Sequence, residues 1–156
     1  MRYSATFISG RRTVGLVEQD ASSDVRQVAL TVDGNRLADL PLSRHYAPAV
    51  AVSDDHLAVW GGTRLHTVSL KDNGLRTSEL EDEVLAAYFV EDKWCLVCET
   101  SVVTLDGSHN VVFKFEHDEV LSSCWWVGDE LIVVDFQGRK LTLSKSMLAP
   151  PAQPFR

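Results

Sequence analysis

A repeat of 37 residues constrains this chain more than any other feature of its sequence. Asp55, Asp92 and Asp129 lie 37 residues apart, and each closes a short turn that is followed by an apolar run. A second marker, a Thr followed by an aliphatic residue, recurs at spacings of 36, 37 and 38 residues. Its copies are Thr31–Val32, Thr67–Val68, Thr104–Leu105 and Thr142–Leu143. Self-similarity of this period predicts one supersecondary unit that is repeated along the chain.

Short apolar runs separated by turn residues fill each repeat, and this pattern predicts antiparallel β-strands. Asp33-Gly34 and Asp72-Asn73-Gly74 are hairpin signals, because Gly tolerates positive φ. The only helix candidate is Leu80–Tyr88, which contains three consecutive acids and falls inside the repeat. The sequence therefore predicts an all-β fold.

We predict a single domain over residues 1–148, with four repeats at about 3–41, 48–80, 85–115 and 120–144. A chain of 156 residues is long enough to bury a core. In the first repeat the polar stretch Glu18–Asp24 is predicted to be a loop. The fourth repeat has no obvious fourth strand, because the tail at 149–156 carries three prolines, which cannot donate to a β-ladder. We expect this tail to lie on an edge or to hang free.

The four units resemble the β-propeller superfamily of WD- and kelch-like repeats over about residues 3–144, in period and strand count. The Gly-His and Trp-Asp signatures of WD repeats are absent. The resemblance implies four propeller-like antiparallel blades. These would form either a small four-bladed propeller or an open arc completed by dimerisation, so the protein is expected to be a monomer or a homodimer.

The net charge of −7 is concentrated in one part of the chain. Residues 79–135 hold 14 acids and only two bases, Lys93 and Lys114. Such a field repels nucleic acid and anionic membranes and favours a basic partner. The acidic runs Glu79–Glu83 and Glu116–Glu119 are again 37 residues apart, and each precedes the first strand of the next repeat.

In a propeller, the connections between blades share a face with the turns between second and third strands. This expectation places five further acids on the same face: Glu18, Asp20, Asp24, Glu99 and Asp135. Four bases nearby would reduce the negative field: Arg44, Arg64, Arg139 and Lys140. The face is interpreted either as solvated loops or as a docking surface for a basic protein.

The motifs of metal binding and catalysis are weak or absent in this sequence. Cys95-x-x-Cys98 lies in a predicted strand, where residues three apart face opposite sides, so we expect buried structural cysteines. A ligand set of Cys124 with His109 or His117 remains an alternative. The triplet Asp54-Asp55-His56 is explained by turn chemistry, because Asp bonds its own backbone in turns. No nucleophile elbow or nucleotide-binding loop occurs, so we predict no enzyme activity, no cofactor and no metal.

The sequence is most consistent with a non-enzymatic protein-binding module. It is similar in general type to small acidic bacterial toxin-immunity proteins, which implies capture of a basic, nuclease-type toxin. The predicted partner-binding residues are Glu79, Glu81, Asp82, Glu83, Glu99, Glu116, Asp118, Glu119, Trp125 and Trp126. Adjacent tryptophans in a strand face opposite sides, so one of this pair could anchor a partner. The alternatives are a scaffold or glycan- or peptide-binding propeller, and a propeller hydrolase with convergent carboxylates of raised pKa.

The odd number of cysteines, three, suits a reducing compartment. No apolar run approaches the length of a membrane span, and the first residues do not resemble a secretion signal. We therefore expect a cytoplasmic protein that binds neither nucleic acid nor membrane.

Overall fold

The structure, a computed structural model, describes residues 2–151 and is built almost entirely from antiparallel β-strands. The chain divides into two compact units, residues 1–81 and residues 82–156. Each unit contains two sheets whose strands follow one another in sequence order. The prediction of a single domain over residues 1–148 stays a prediction.

The first unit contains two four-stranded sheets. The first sheet is β1 (Ser4–Ser9), β2 (Arg12–Ala21), β3 (Val25–Val32) and β4 (Asn35–Ser43). The second sheet is β5 (Ala49–Ser53), β6 (His56–Gly61), β7 (Arg64–Ser69) and β8 (Gly74–Glu79).

The second unit contains a four-stranded and a three-stranded sheet. The third sheet is β9 (Val84–Val90), β10 (Lys93–Cys98), β11 (Ser101–Leu105) and β12 (Val111–Glu116). The fourth sheet is β13 (Leu121–Val127), β14 (Glu130–Asp135) and β15 (Lys140–Ser144), followed by the single-turn helix α1 (Lys145–Leu148). The predicted lack of a fourth strand in the last repeat is confirmed within the described residues.

The aspartates that define the repeat lie in two-residue hairpin turns between the first and second strands of the last three sheets. The turns are Asp54–Asp55, Glu91–Asp92 and Gly128–Asp129. Each has a residue with positive φ, at 49° for Asp54, 63° for Asp92 and 57° for Gly128. Asp and Gly tolerate this conformation well, so each turn has a residue that suits it. Only Asp92 is both a positive-φ residue and one of the three recurring aspartates.

The Thr marker is in register in three of the sheets but not in the first. Thr67, Thr104 and Thr142 lie opposite the second-strand residues Ala58, Cys95 and Ile132, which are themselves 37 residues apart. These second-strand residues are the third after the last turn residue of the first hairpin in their sheets. In the first sheet, the residue at the same distance from the hairpin turn is Val14, and its cross-strand partner is Val32. Thr31 is therefore displaced by one residue, which in a strand moves it to the opposite face.

In both units, two sheets pack face to face around an apolar core. In the first unit, Val14 and Leu16 of the first sheet pack with Leu57 and Val59 of the second. In the second unit, the third and fourth sheets bury Cys95, Val97, Val102, Leu131, Val133 and Leu143 together. Side chains from two inner sheet faces form the core in each case.

Two sequence expectations need correction. Residues Glu18–Ala21 belong to β2 and not to a loop, because the strand continues through a bulge between Glu18 and Asp20. Glu18 is buried there, beside Arg26 at 3.9 Å. The helix α1 was not expected; Ser144 caps it by accepting a hydrogen bond from the Met147 N–H at 3.3 Å. The absence of a helix at Leu80–Tyr88 was expected and is confirmed, because residues 84–88 belong to β9.

Most of the predicted proline-rich tail lies outside the described residues. Ala149 is buried, and residues 152–156 are not described. Among residues 2–151, no helix has both the length and the apolar character needed to cross a membrane.

Candidate functional site

In each unit, the segments that leave a sheet lie against the turn between its second and third strands. The Arg44 N–H donates to the Asp24 carbonyl at 2.9 Å, and the Leu80 N–H donates to the Thr63 carbonyl at 2.8 Å. In the second unit, the His117 N–H donates to the Thr100 carbonyl at 2.9 Å. The sequence expectation that these segments share a face is confirmed within each unit. We call residues 82–83, 99–100, 117–120 and 135–139 the connection rim of the second unit.

A hydrogen-bonded network around Asp135 holds the connection rim together. The Asp135 carboxylate accepts hydrogen bonds from His117 Nε2 at 3.0 Å and Arg139 Nε at 2.8 Å. It also accepts from the backbone N–H groups of Gln137 and Arg139, both at 2.9 Å. These donors, His117 foremost, hold the pKa of Asp135 well below its usual range. The carboxylate is buried and fully satisfied, so its role is to fix the turn.

Several other predicted acids on or near this rim are neutralised by bases of the same unit. Arg139 Nη2 lies 3.0 Å from Asp118, and Lys114 Nζ lies 3.1 Å from Glu116. Exposed pairs of this kind contribute little to stability, but they reduce the field that a partner experiences. Asp118 and Glu116 are therefore weaker candidates for partner binding than the sequence suggested.

Four acids of the connection rim carry no ion pair within residues 2–151: Asp82, Glu83, Glu99 and Glu119. Asp82 accepts hydrogen bonds from the hydroxyls of Thr100 at 2.7 Å and Ser101 at 3.2 Å. Glu119 accepts from the Gln137 amide at 3.0 Å and from the Val120 N–H at 3.1 Å. These neutral donors orient the carboxylates but leave their charge uncompensated.

Two predicted partner-binding residues, Glu79 and Glu81, belong to the first unit. Glu79 accepts hydrogen bonds from Thr63 Oγ1 and from Arg64 Nε, the latter at 3.1 Å. The hydrogen bond from Thr63, followed by the hydrogen bond and the charge of Arg64, lowers the pKa of Glu79. Glu81 is exposed at the end of this unit.

The two adjacent tryptophans face opposite sides of the fourth sheet, as predicted. Trp126 packs edge-to-face on Tyr88, with ring centroids 5.8 Å apart, and contributes to the core of the second unit. Trp125 points away from that core and is 41% exposed, with Lys140 Nζ 5.9 Å from its ring centroid. Trp125 is therefore available as an anchor and Trp126 is not.

Phe136 was not among the predicted site residues, yet it is the most exposed aromatic ring of the connection rim, at 71%. Phe136 directly follows Asp135, and its N–H donates to the Val120 carbonyl at 3.1 Å. The hairpin Asp135–Arg139 holds its backbone in place. A signal was present in the sequence, because Phe136 lies in the tight polar turn Phe136-Gln137-Gly138, where a large aromatic has no core to fill.

The expectation of buried cysteines is confirmed for two of the three. Cys95 and Cys98 are buried in β10, and Cys124 is half-buried; all three are free thiols. Burial raises the pKa of Cys95 and of Cys98 to about 12, so neither is a thiolate at neutral pH. Cys124 Sγ lies 3.3 Å from the Tyr88 hydroxyl.

The alternative metal set is not assembled. Within residues 2–151, no three His, Cys, Asp or Glu side chains are placed to hold an ion. His117 is hydrogen-bonded to Asp135, beside Arg139. A guanidinium at this position repels a cation.

No protein-family model and no curated protein sequence matches this chain. Among solved structures, the computationally designed Ika4 protein matches with a TM-score of 0.61 at 9% identity, over 89% of this chain and 88% of that chain. Hsv2p of Kluyveromyces lactis matches with a TM-score of 0.58 at 12% identity, over 96% of this chain and 52% of that chain. BBS1N, crystallised in complex with ARL6DN, matches with a TM-score of 0.52 at 12% identity, over 90% of this chain and 50% of that chain.

These likenesses establish the fold class. Hsv2p and BBS1N are β-propeller proteins, and this chain spans about half the length of each. Together with the four antiparallel sheets, they show that the chain is a small, propeller-like all-β protein. Because the sequence identities are only 9–12%, these likenesses establish the fold and no other property of the chain.

Proposed function

We propose that this protein is a non-enzymatic binding module that captures a basic protein through the connection rim of its second unit. The observation that supports this most directly is the set of rim carboxylates without an ion pair, described above for residues 2–151. Uncompensated charge on one surface attracts an oppositely charged partner and accelerates its association.

The exposed ring of Phe136 can supply an apolar anchor, which the acids cannot provide. Charged residues at the edge of an interface mainly direct association, whereas buried aromatic anchors contribute most of the affinity. Phe136 lies on a rigid turn beside Glu119, whose carboxylate accepts a hydrogen bond from Gln137. A basic partner with an apolar pocket would bury this ring while its lysines and arginines face Asp82, Glu83 and Glu99.

The specific form of the proposal is an immunity-type inhibitor that blocks a cationic, nuclease-type toxin in the cytoplasm. A nuclease cleft is basic because it binds phosphates, so an acidic rim can occupy it. The three free thiols suit a reducing compartment. BBS1N, which shares the fold, was crystallised with a protein bound. Glu79 and Glu81 of the first unit are secondary contacts in this proposal.

The hydrolase alternative requires carboxyl groups of raised pKa that converge on a substrate. Within residues 2–151, the carboxyl groups whose pKa is displaced are all displaced downward: Asp33, Glu79, Glu91, Asp106 and Asp135. This is the direction expected of hydrogen-bonded and ion-paired carboxylates in structural roles. The observation favours binding over acid–base catalysis.

The test compares two variants that lose the same charge at opposite ends of the second unit. The rim variant carries Asp82→Asn, Glu83→Gln and Glu99→Gln. The hairpin variant carries Asp92→Asn, Asp129→Asn and Glu130→Gln, at exposed positions in or directly after the turns between first and second strands. Immobilised wild-type protein and both variants are incubated with lysate of the source cells at low and at high salt, and bound proteins are identified by mass spectrometry.

We expect the wild-type protein and the hairpin variant to retain the same basic protein at low salt and to release it at high salt, because exposed charges are screened. The rim variant should not retain it. Retention by the rim variant, or retention that does not respond to salt, would show that the acidic rim is not the binding surface. A Phe136→Ser variant should weaken capture without changing its salt dependence.

A further inference from the structure

A cavity of about 660 Å³ opens at the end of the second unit that carries the turns between first and second strands. It is bounded by these turns of the third and fourth sheets and by residues between 144 and 151. All of its lining residues belong to the second unit, so this unit alone builds the cavity. Small-molecule sites typically measure roughly 300–1,000 Å³. The cavity therefore has the size of a ligand site, and it lies away from the connection rim.

The segment that follows β15 forms one wall of the cavity and is attached to both sheets of the unit. The Lys145 N–H donates to the Asp129 carbonyl of the fourth sheet at 2.8 Å. The Lys145 ammonium lies 2.9 Å from the Glu91 carboxylate of the third sheet. Leu148 is fully buried in the core of the unit. These contacts hold the wall in place without a ligand.

Burial and ion pairing separate the charged groups of the cavity. Lys93 and Lys145 are half-buried, whereas Glu91, Asp129 and Glu130 are exposed. Glu91 compensates the charge of Lys145. Lys93 Nζ donates to the Glu91 carbonyl at 3.4 Å, but it has no carboxylate partner within residues 2–151. In the same part of the chain, Asp129 and Glu130 carry no ion pair. The cavity therefore presents one uncompensated cation at depth and two uncompensated anions at its opening.

We propose that this cavity binds a short zwitterionic peptide, with the peptide carboxylate against Lys93 and the peptide ammonium near Asp129 and Glu130. A simple anion would be repelled by the two acids, and a simple amine would leave the charge of Lys93 unpaired beneath it. The Ser146 hydroxyl, 3.2 Å from Ser144 Oγ, can donate a further hydrogen bond to the carboxylate. A single amino acid would leave most of the volume unfilled, which favours two or three residues. The proposal is independent of the proposed capture of a basic protein.

The experiment titrates the whole ¹⁵N-labelled chain with trialanine and follows the backbone amide chemical shifts, which measure weak affinities and identify the residues that respond. N-acetyl-trialanine lacks the ammonium, and trialanine amide lacks the carboxylate. One variant, Lys93→Met, removes the proposed partner of the carboxylate. The other, Asp129→Asn with Glu130→Gln, removes the partners of the ammonium. Lys140→Met and Asp106→Asn are the controls, because both residues belong to the second unit but lie outside the cavity. The dispersion of each amide spectrum checks that the variant is folded.

We expect trialanine to shift the amides that line the cavity, and each capped peptide to bind about fivefold more weakly, as expected of one partly exposed ion pair. Lys93→Met should weaken trialanine binding by the same factor and should no longer distinguish trialanine from its amide. The acid variant should no longer distinguish trialanine from its N-acetyl form. Both controls should bind trialanine as the wild-type protein does.

No shift at the cavity, or equal binding of the three peptides, would overturn the proposal. If only the acids affect binding, the cavity takes an amine, and the assigned ligand class is wrong. If only Lys93 affects binding, the cavity takes an anion, and the assignment is equally wrong. A chain shortened to Pro151 should bind trialanine with unchanged affinity. Tighter binding would mean that residues 152–156 compete for the cavity, which would also overturn the proposal.

Discussion

Each unit uses a histidine to connect two elements, but the two histidines lie in opposite environments. His66 in the first unit is buried between its sheets, where Nε2 lies 2.9 Å from the Pro41 carbonyl and Nδ1 lies 2.8 Å from Thr77 Oγ1. His117 in the second unit lies on the rim against the Asp135 carboxylate. The same residue type therefore stabilises one unit through neutral hydrogen bonds and the other through a charged network.

The protonation requirements of the two sites follow from their partners. A carbonyl can only accept a hydrogen bond, so Nε2 of His66 donates and Nδ1 accepts from the Thr77 hydroxyl in the neutral ring. Burial lowers the pKa of His66 and favours that neutral form. Asp135 is held in its charged form by its donors. Acid should therefore weaken the first unit at a higher pH than it weakens the Asp135 network.

The largest effect should come from the cores, where we expect the two units to behave alike. Leu57 and Leu131 occupy the same position after the first hairpin turn, and both are fully buried. Either leucine replaced by alanine should lower the free energy of unfolding by about 2–5 kcal/mol, measured by urea titration. A loss below about 1 kcal/mol in one variant only would mean that its unit is not packed as described.

A smaller loss is expected from Asp135→Asn, which removes the charge that His117 and Arg139 contact. Because the folded-state pKa of Asp135 is lowered, its contribution is present above the ordinary carboxyl value of 3.8 and is lost only as the pH falls below it. The stability difference between wild-type and variant should stay constant from neutral pH to about pH 5 and shrink in stronger acid. A difference that disappears near pH 6 would contradict this assignment.

The pH response of the first unit should be removed by His66→Gln, a side chain that can still donate to the Pro41 carbonyl. A lowered folded-state pKa means that the stabilising contribution is complete above the ordinary histidine value of 6.5 and decreases as the pH falls below it. Thermal unfolding at a series of pH values should show a slope below 6.5 in the wild-type protein and a flatter one in the variant. Equal slopes would exclude His66 as the source.

The smallest effect should come from two half-buried acids of the connection rim. Glu83→Gln and Glu99→Gln remove charges that carry no ion pair within residues 2–151, so each should change the free energy of unfolding by no more than about 0.5 kcal/mol. Chemical denaturation measures this directly. A large destabilisation would mean that these acids have a structural role. The comparison of rim and hairpin variants would then no longer separate a loss of charge from a loss of folding.

The sequence was sufficient to predict the fold class because the information was local. Turn residues such as Asp33-Gly34 and the aspartates of the repeat mark each hairpin, and alternation assigns Trp125 and Trp126 to opposite faces. The one-residue displacement of Thr31 was not predictable, because it depends on how β2 and β3 pair after a ten-residue strand with a bulge. The capped turn α1 is too short to leave a periodic signal.

The candidate surface was only partly predictable. The sequence placed the acids near the turns, but it could not show which of them are neutralised. Arg139 lies 21 residues from Asp118 and reaches it across the rim, whereas Asp82 contacts only hydroxyl groups. Such pairings depend on side-chain reach in three dimensions. Phe136, in contrast, could have been found from the sequence, because a large aromatic residue in a tight polar turn has no core to fill.

The central claim is that the protein acts by presenting the charged rim of its second unit to a basic partner. The most direct measurement is the association rate with the captured protein as a function of ionic strength, for the wild-type protein and for the rim variant. We expect the association rate of the wild-type protein to fall steeply with added salt, and that of the rim variant to be lower and to depend only weakly on salt. Equal rates with equal salt dependence for both proteins would contradict it.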